Sequence, residues 1–355
     1  MIQQYGWSGP LAQDFESHAR AGQTPGRVVV QRRGAYLVAT DEGELRAKPA
    51  GRLLHDAGEA EHPVVGDWVA LTVNKAQRTA TIHATLPRRT AFMRRAADSV
   101  QTLQIIAANI DVAFVVTSMN ADFNPRRLER YLAAAWQSGA RPVVLLTKSD
   151  LSDQPEVLAQ QVVGLAARCP VIVVSARQGI GLDAVRSHIA PGETCVLIGS
   201  SGVGKSTLVN VLSGEEKMAT QAIREADARG RHTTSHRQLF LLPGGGLILD
   251  TPGIREVGLI DAEEGLGVVF DDIERLARDC RFRDCGHANE PGCAVRVALQ
   301  SGALDPGRWA SFQKLGLELA AVENKADRIA KEAERRRQLS LQKAYRTTKK
   351  DLRGE

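Results

Sequence analysis

Two rhythms of apolar and polar positions divide the chain. From about residue 26 to 97, short alternating stretches predict strands at Arg27 to Gln31, Ala35 to Ala39, Asp67 to Val73 and Thr79 to His83, broken by Gly34, Asp41-Glu42-Gly43 and Pro63. Several short strands with little helix between them predict a small closed barrel, either an OB-fold or an SH3-like one. From about 102 to 260 the rhythm becomes unbroken β-branched runs, Val112 to Val116, Val143 to Leu146, Val171 to Val174, Cys195 to Ile198 and Leu247 to Asp250. Such runs are central strands of a sheet covered on both faces. Pro125 to Gln137, with Leu128, Tyr131, Leu132 and Ala135 at helical spacing, predicts one of the covering helices. A doubly wound α/β domain follows, whose ligand lies at the carboxyl ends of its strands. After about 265 the pattern is helical around a group of cysteines, with Leu315, Leu319, Val322 and Ile329 on one apolar face. Residues 1–25 carry no clear pattern. The expected layout is an extension over 1–25, a barrel over 26–97, an α/β domain over 98–262 and a helical unit over 263–355.

Chemistry attaches to the α/β part. Gly199-Ser200-Ser201-Gly202-Val203-Gly204-Lys205-Ser206 follows one apolar run and opens a helical stretch, the context of a phosphate loop. Its glycines let the backbone curl its amides onto phosphates, Lys205 neutralises β- and γ-oxygens, Ser206 is placed to ligate Mg²⁺, and Thr207 adds a hydroxyl near the α-phosphate. Thr147-Lys148-Ser149-Asp150 closes another run. Asp150 can accept two hydrogen bonds from the N1 and N2 edge of guanine, a donor pair adenine lacks, while the Lys148 stem can lie across the ring. Ser175-Ala176-Arg177 fits the loop whose Ala176 amide meets guanine O6. Taken alone, Thr147 to Asp150 also fits an ordinary strand-to-turn end. Asp250-Thr251-Pro252-Gly253, with a Mg²⁺-associated aspartate and a γ-phosphate-facing Gly253 amide, makes GTP the expected ligand. Gly230 to Ser235 is the candidate first switch, in which Thr233 or Thr234 senses Mg²⁺ and γ-phosphate.

The guanine segment precedes the phosphate loop. That order predicts a circularly permuted GTPase domain.

Charge is placed unevenly. The chain carries a net +5, but residues 324–355 hold eleven Lys/Arg against five acids, so the body before them is near neutral. A basic tail on a neutral body points to a polyanionic partner, most simply nucleic acid, although a solvated helix accounts for the run equally well. Arg32, Arg33, Arg88, Arg89, Arg94 and Arg95 are candidates for a phosphate-facing surface of the barrel. No apolar run approaches the roughly 18 residues of a spanning helix, and Met1 to Pro10 lacks the pattern of a signal peptide, so no membrane role and a cytoplasmic setting are expected. With five cysteines in such a setting, metal ligands or free thiols are favoured over disulfides.

From Gly66-Asp67-Trp68-Val69 through the permuted motifs to the cysteines, the chain resembles the RsgA/YjeQ family of bacterial, ribosome small-subunit-dependent GTPases. The resemblance implies an N-terminal OB-fold, a permuted GTPase domain and a C-terminal zinc domain that together bind the 30S subunit late in its maturation, and the main expectation is an enzyme whose grip is on 16S rRNA and whose hydrolysis of GTP to GDP times its release. The position after Asp250-Thr251-Pro252-Gly253 is Ile254, whose side chain cannot orient water. His232, in the first switch and where the family is thought to use a histidine, is the candidate catalytic residue. Cys280, Cys285, His287 and Cys293 have the spacing C-x4-C-x-H-x5-C, suited to one structural Zn²⁺ with no open position. Cys169 and Cys195 are expected to be plain thiols. Nothing in the sequence demands more than a monomer. Two other readings compete with subunit-stimulated hydrolysis: an RNA-binding assembly factor for which GTP only sets affinity, and a GTPase acting on tRNA.

Overall fold

The computed structural model describes residues 1–32, 34–55, 62–95, 103–120, 123–166, 168–214, 237–250 and 263–321. Two short helices, α1 (Gly9–Asp14) and α2 (Glu16–Arg20), lead into the barrel strands β1 (Thr24–Arg32), β2 (Ala35–Thr40), β3 (Gly43–Pro49), β4 (Trp68–Asn74) and β5 (Thr79–Thr85), with α3 (Gly51–His55) between β3 and β4. β1, β2 and β3 form an antiparallel meander, β3 pairs in parallel with β5, β5 pairs with β4, and β4 returns to β1. This is a closed five-stranded Greek-key barrel, the OB-fold arrangement. The β3 strand was not among the sequence expectations, because Leu45 and Ala47 are its only inward apolar residues.

Residues 1–23 pack onto the barrel. Ile2, Tyr5, Leu11 and Phe15 are buried, and Trp7 lies over Trp68 with ring centroids 5.0 Å apart. The segment Gly66-Asp67-Trp68 seats the barrel on the next domain. Gly66 has φ 94°, and a Cβ there would stand 2.0 Å from the Ala108 carbonyl oxygen, so no side chain fits. Asp67 is fully buried and accepts from the Val64 amide at 2.8 Å and from Arg88 Nε and Nη2, each at 2.8 Å. Arg88 is thereby committed to the interior, not to the phosphate-facing surface; Arg32 and Arg89 are exposed.

A two-stranded ribbon, β6 (Ala91–Arg95) and β7 (Leu103–Ala108), precedes β8 (Val112–Ser118), α4 (Pro125–Gln137), β9 (Arg141–Thr147), α5 (Pro155–Leu165), β10 (Val171–Val173), α6 (Leu182–Ser187), β11 (Thr194–Ile198), α7 (Lys205–Ser213), β12 (Arg237–Leu241) and β13 (Leu247–Asp250). The sheet runs β10-β9-β8-β11-β13-β12, parallel except for β12. Alternate residues enter two separate cores, Ala113, Val115, Val196 and Ile198 on one face and Val112, Phe114, Val116, Cys195 and Leu197 on the other. That double burial is why these strands read as unbroken apolar runs. α4 starts where Asn124 caps the amides of Arg126 and Arg127 at 2.9 and 3.2 Å, with Pro125 in the first turn.

The chain ends in α8 (Glu263–Val269), α9 (Asp271–Arg278), α10 (Ala294–Ser301) and α11 (306–321). α8 lies along α4, and Trp309 stacks on Phe312, which meets Phe270 edge-on. Leu315 and Leu319 are buried as the apolar face requires; Val322, Ile329 and the basic tail lie outside the described residues. Among the described residues no helix is long and apolar enough to cross a membrane.

Burial pushes the Asp67 carboxyl above its ordinary value near 3.8, although Arg88 and the Val64 amide pull it down. A carboxyl raised in the folded state holds its proton more tightly there, so its contribution to stability falls as pH rises through that window. Arg88→Ala leaves the carboxylate buried without its cation and should cost about 3 kcal/mol in urea unfolding at neutral pH. The variant raises Asp67 further, so its deficit relative to the parent should shrink as pH is lowered towards protonation of Asp67.

Candidate nucleotide site and metal cluster

Every residue of β11 is buried, and the strand delivers Gly199 against β8. A Cβ on Gly199 would meet the Val116 carbonyl oxygen at 2.2 Å with φ at 149°, so only glycine lets the loop turn off the strand here. The loop runs through Ser200, Ser201, Gly202 and Val203 to Gly204, the left-handed cap of α7. Val203 is buried as its anchor, and Ser201 and Gly202 form the exposed lip. Lys205 Nζ donates to the Gly199 carbonyl at 2.7 Å and to that of Ser200, so the ammonium lies in the concavity of the loop. Ser206 and Thr207 follow on the first turn of α7, whose leading amides have no acceptor within the helix.

The segments expected to read the base reach the same edge of the sheet. Thr147, at the end of β9, donates its hydroxyl to the Val203 carbonyl at 2.5 Å, which ties the guanine segment to the phosphate loop. Lys148 is left-handed at φ 58° and opens a single 3-10 turn over Ser149–Leu151. Ser149 is held by its amide on the Val174 carbonyl at 3.3 Å. Ser175 donates its hydroxyl to Asp150 Oδ1 at 2.6 Å, and its backbone pairs with Ile180 to close the turn that contains Ala176. Asp150 and Ala176 are half-buried. Asp250, the last residue of β13, is held opposite Gln238 of β12. The structure thus gathers Thr147 to Asp150, Ser175, Ala176, Gly199 to Thr207 and Asp250 at the carboxyl ends of parallel strands. His232, Thr233, Thr234 and Gly253 lie outside the described residues.

One contact was not foreseen from sequence. Arg127 of α4 donates to Ser200 Oγ at 3.2 Å. An arginine three residues past a helix cap looks like any solvated charge until the fold sets α4 beside the loop.

The second site is the cysteine cluster. Cys280, Cys285, His287 and Cys293 bring their ligand atoms within 4.8 Å of one another. Cys280 and Cys293 sulfurs are 3.9 Å apart, and His287 Nδ1 is 3.6 and 3.5 Å from them. A tetrahedral zinc with bonds of about 2.3 Å to sulfur and about 2.0 Å to nitrogen has edges of about 3.8 and 3.5 Å, so the donor set fits that ion. Three thiols and an imidazole use all four positions. Cys293 begins α10, and Trp309 meets the His287 ring edge-on at 5.6 Å. Desolvation opposes ionising Cys280, yet the Val295 and Ala294 amides at the head of α10 and the neighbouring thiols outweigh it and hold it below the ordinary thiol value. Desolvation, with the Cys293 and Cys280 thiols, pushes Cys285 up to about 11 against the pull of the His287 amide. The remaining two cysteines are inert by burial: Cys169 is pushed up to about 12 and Cys195 well above the ordinary range.

Residues 85–260 match the model of the RsgA GTPase family. The small ribosomal subunit biogenesis GTPase RsgA of Opitutus terrae is 44% identical over 94% of this chain and 93% of its own length; that of Streptomyces coelicolor is 46% identical over 93% and 90%. The chain belongs to the RsgA GTPase family. In fold it is similar to YjeQ from Thermotoga maritima, with TM-score 0.62 and 24% identity over 84% of this chain and 99% of the other. It is also similar to YloQ, described as a circularly permuted GTPase, with TM-score 0.59 and 23% identity over 84% and 96%. The family's permuted order is visible in this chain as β8, β9 and β10 preceding β11, β12 and β13 within one sheet.

Metal analysis of the purified protein should return one zinc per chain. Cys293→Ser should lose it and lower the melting temperature, because the ligand that starts α10 goes with it.

Proposed function

We propose that this chain hydrolyses GTP to GDP and phosphate, binds the 30S ribosomal subunit late in its maturation, and times its own release by hydrolysis that the subunit stimulates. The observation that carries the reading is the meeting of the Lys205 loop and the Asp150–Ser175 pair at one sheet edge. Family membership supports the subunit as partner, since the relatives are named for biogenesis of that particle.

In this reading the loop amides and Lys205 hold the β- and γ-phosphates, Ser206 with Asp250 binds Mg²⁺, and Gly253 and one of Thr233 and Thr234 report the γ-phosphate. Asp150 takes the N1 and N2 edge of guanine with Ser175 orienting its carboxylate, and Ala176 offers its amide to O6. His232 positions water, a task Ile254 cannot perform. The zinc is structural, and the barrel and basic tail hold 16S rRNA through its phosphates. Because Asp250 is joined through 251–262 to α8, movement of the second switch tilts the C-terminal unit against RNA. The protein acts as a cytoplasmic monomer.

Steady-state GTP hydrolysis should be measured alone and with 30S, 50S and tRNA at one fixed salt concentration. The expected outcome is a rise of about tenfold or more with 30S only, as when a partner orders a switch. A rise with tRNA, or with none of the three, would sink the timing role. Asp150→Asn should weaken GTP binding by about a hundredfold, since its amide presents donors to the donor edge of guanine, and should spare the weak binding of ATP.

A further inference from the structure

α4 faces two parts of the molecule at once. Towards the C-terminal helices, Glu129 is fully buried and accepts from Arg126 at 2.7 Å and from Arg308 at 3.0 Å. Arg308 forks onto Asp272 at 2.7 and 2.8 Å and donates to the Val269 carbonyl at 2.7 Å. Arg130 binds Glu318 with both arms at 2.7 and 2.9 Å, and Arg126 reaches Asp305, which caps α11 through the Arg308 amide. Towards the nucleotide, Arg127 lines the gap between α4 and the phosphate loop with Tyr131 and Val203, and donates to Ser200 Oγ at 3.2 Å. Ser200 is then held from both ends, its hydroxyl by Arg127 and its carbonyl by Lys205.

We propose that Arg127 is a positioning residue for the phosphate loop, and that α4 carries the seating of the C-terminal helices to the loop through it. The proposal rests on the reading of Gly199 to Ser206 as the phosphate site. A loop rich in glycine does not fix its own curvature, so its amides converge on a phosphate only while neighbouring groups brace it. The planar guanidinium braces Ser200 from a helix that is rigid over one turn. On that same turn Arg126, Glu129 and Arg130 are bonded to the C-terminal helices. When those helices shift, the first turn of α4 shifts with them, and Arg127 moves against Ser200. By linkage, nucleotide in the loop then favours one seating of the C-terminal unit.

The test is calorimetric titration of the full chain with GDP and with a non-hydrolysable GTP analogue, each variant also being melted. Arg127→Ala and Ser200→Ala should each weaken binding about fivefold to tenfold, with the double variant no weaker than either, as expected of partners in one contact. Arg127→Lys should recover part of the loss. Arg130→Gln, which breaks the pair with Glu318, should weaken binding about twofold to threefold in the parent and have no effect in the Arg127→Ala background. Lys205→Ala tests the site itself. If it binds as the parent does, the phosphate-site reading falls. If it abolishes binding while Arg127→Ala stays within twofold of the parent, the positioning role alone falls. Full additivity of the Arg127 and Ser200 effects, or a fall in melting temperature and affinity that lysine does not repair, would also overturn it. An Arg130→Gln effect that persists without Arg127 would overturn the transmission through α4.

Discussion

One strand holds the first two domains in a single register. β1 pairs along one edge with β2, while its other edge is divided, Thr24 to Arg27 closing the barrel on β4 and Val30 with Gln31 bonding to β12 of the nucleotide domain. At the point of division sits Arg27, fully buried, donating to the carbonyls of Tyr5, Gly66 and Asn109 and stacked over Trp68. Burial pulls its guanidinium down to about 10, with Asp111 and Asp67 opposing, so it keeps its charge at neutral pH. A buried cation satisfied by three carbonyls from three segments is costly to misplace, because any slip leaves it unpaired in the interior. The barrel therefore sits in one orientation on the sheet, and the strand it is bonded to leads straight into β13 and Asp250.

That continuity gives the permuted order its physical meaning. The phosphate loop follows β11 and the guanine segment follows β9, but the hydroxyl of Thr147 bonds the two across 56 positions of sequence. Chain order is irrelevant to a site assembled from strand ends of one sheet; strand order is what matters. The permutation changes what lies beyond the last strand. Asp250 leads through 251–262 into α8, which packs on α4, and α4 stands beside the phosphate loop. The barrel is thus hydrogen-bonded directly to the sheet through β1 and β12, and the C-terminal helices reach the loop at its edge through α4.

Much of this was legible in sequence for local reasons. The central strands are buried on both faces and must be apolar throughout; α4 announces itself by Leu128, Tyr131, Leu132 and Ala135 at helical spacing; the four Cys and His of the cluster lie within fourteen residues, so their spacing suggests one metal site. What escaped depends on distance. Glu129 and Arg308 are 179 positions apart, Arg127 and Ser200 are 73 apart, and nothing near either residue marks the pair. Arg88 read as a surface cation because its partner Asp67, 21 positions away, read only as the first residue of a strand. Residues 1–23 carried no periodicity because they do not form an amphipathic element of their own; Ile2, Tyr5, Leu11 and Phe15 fill individual hollows on the barrel. The switch residues and the tail lie outside the described residues, so their assignments rest on motif and charge.

The C-terminal unit shows two unlike ways of fixing a small body. At one end, the stretch between α9 and α10 has no regular structure, and four ligands around one ion can close it where there is too little apolar surface to do so. At the other end, Arg308, held by Asp272, buries its charge against Glu129 of α4. A buried ion pair contributes little net stability compared with apolar packing of the same volume, but it tolerates no other partner arrangement. A metal held by that cluster would give the unit its internal shape, while the ion pairs give it one seat on the nucleotide domain. A body that is rigid within and specifically but not strongly seated is suited to move as a piece when the site beside its seat changes ligand.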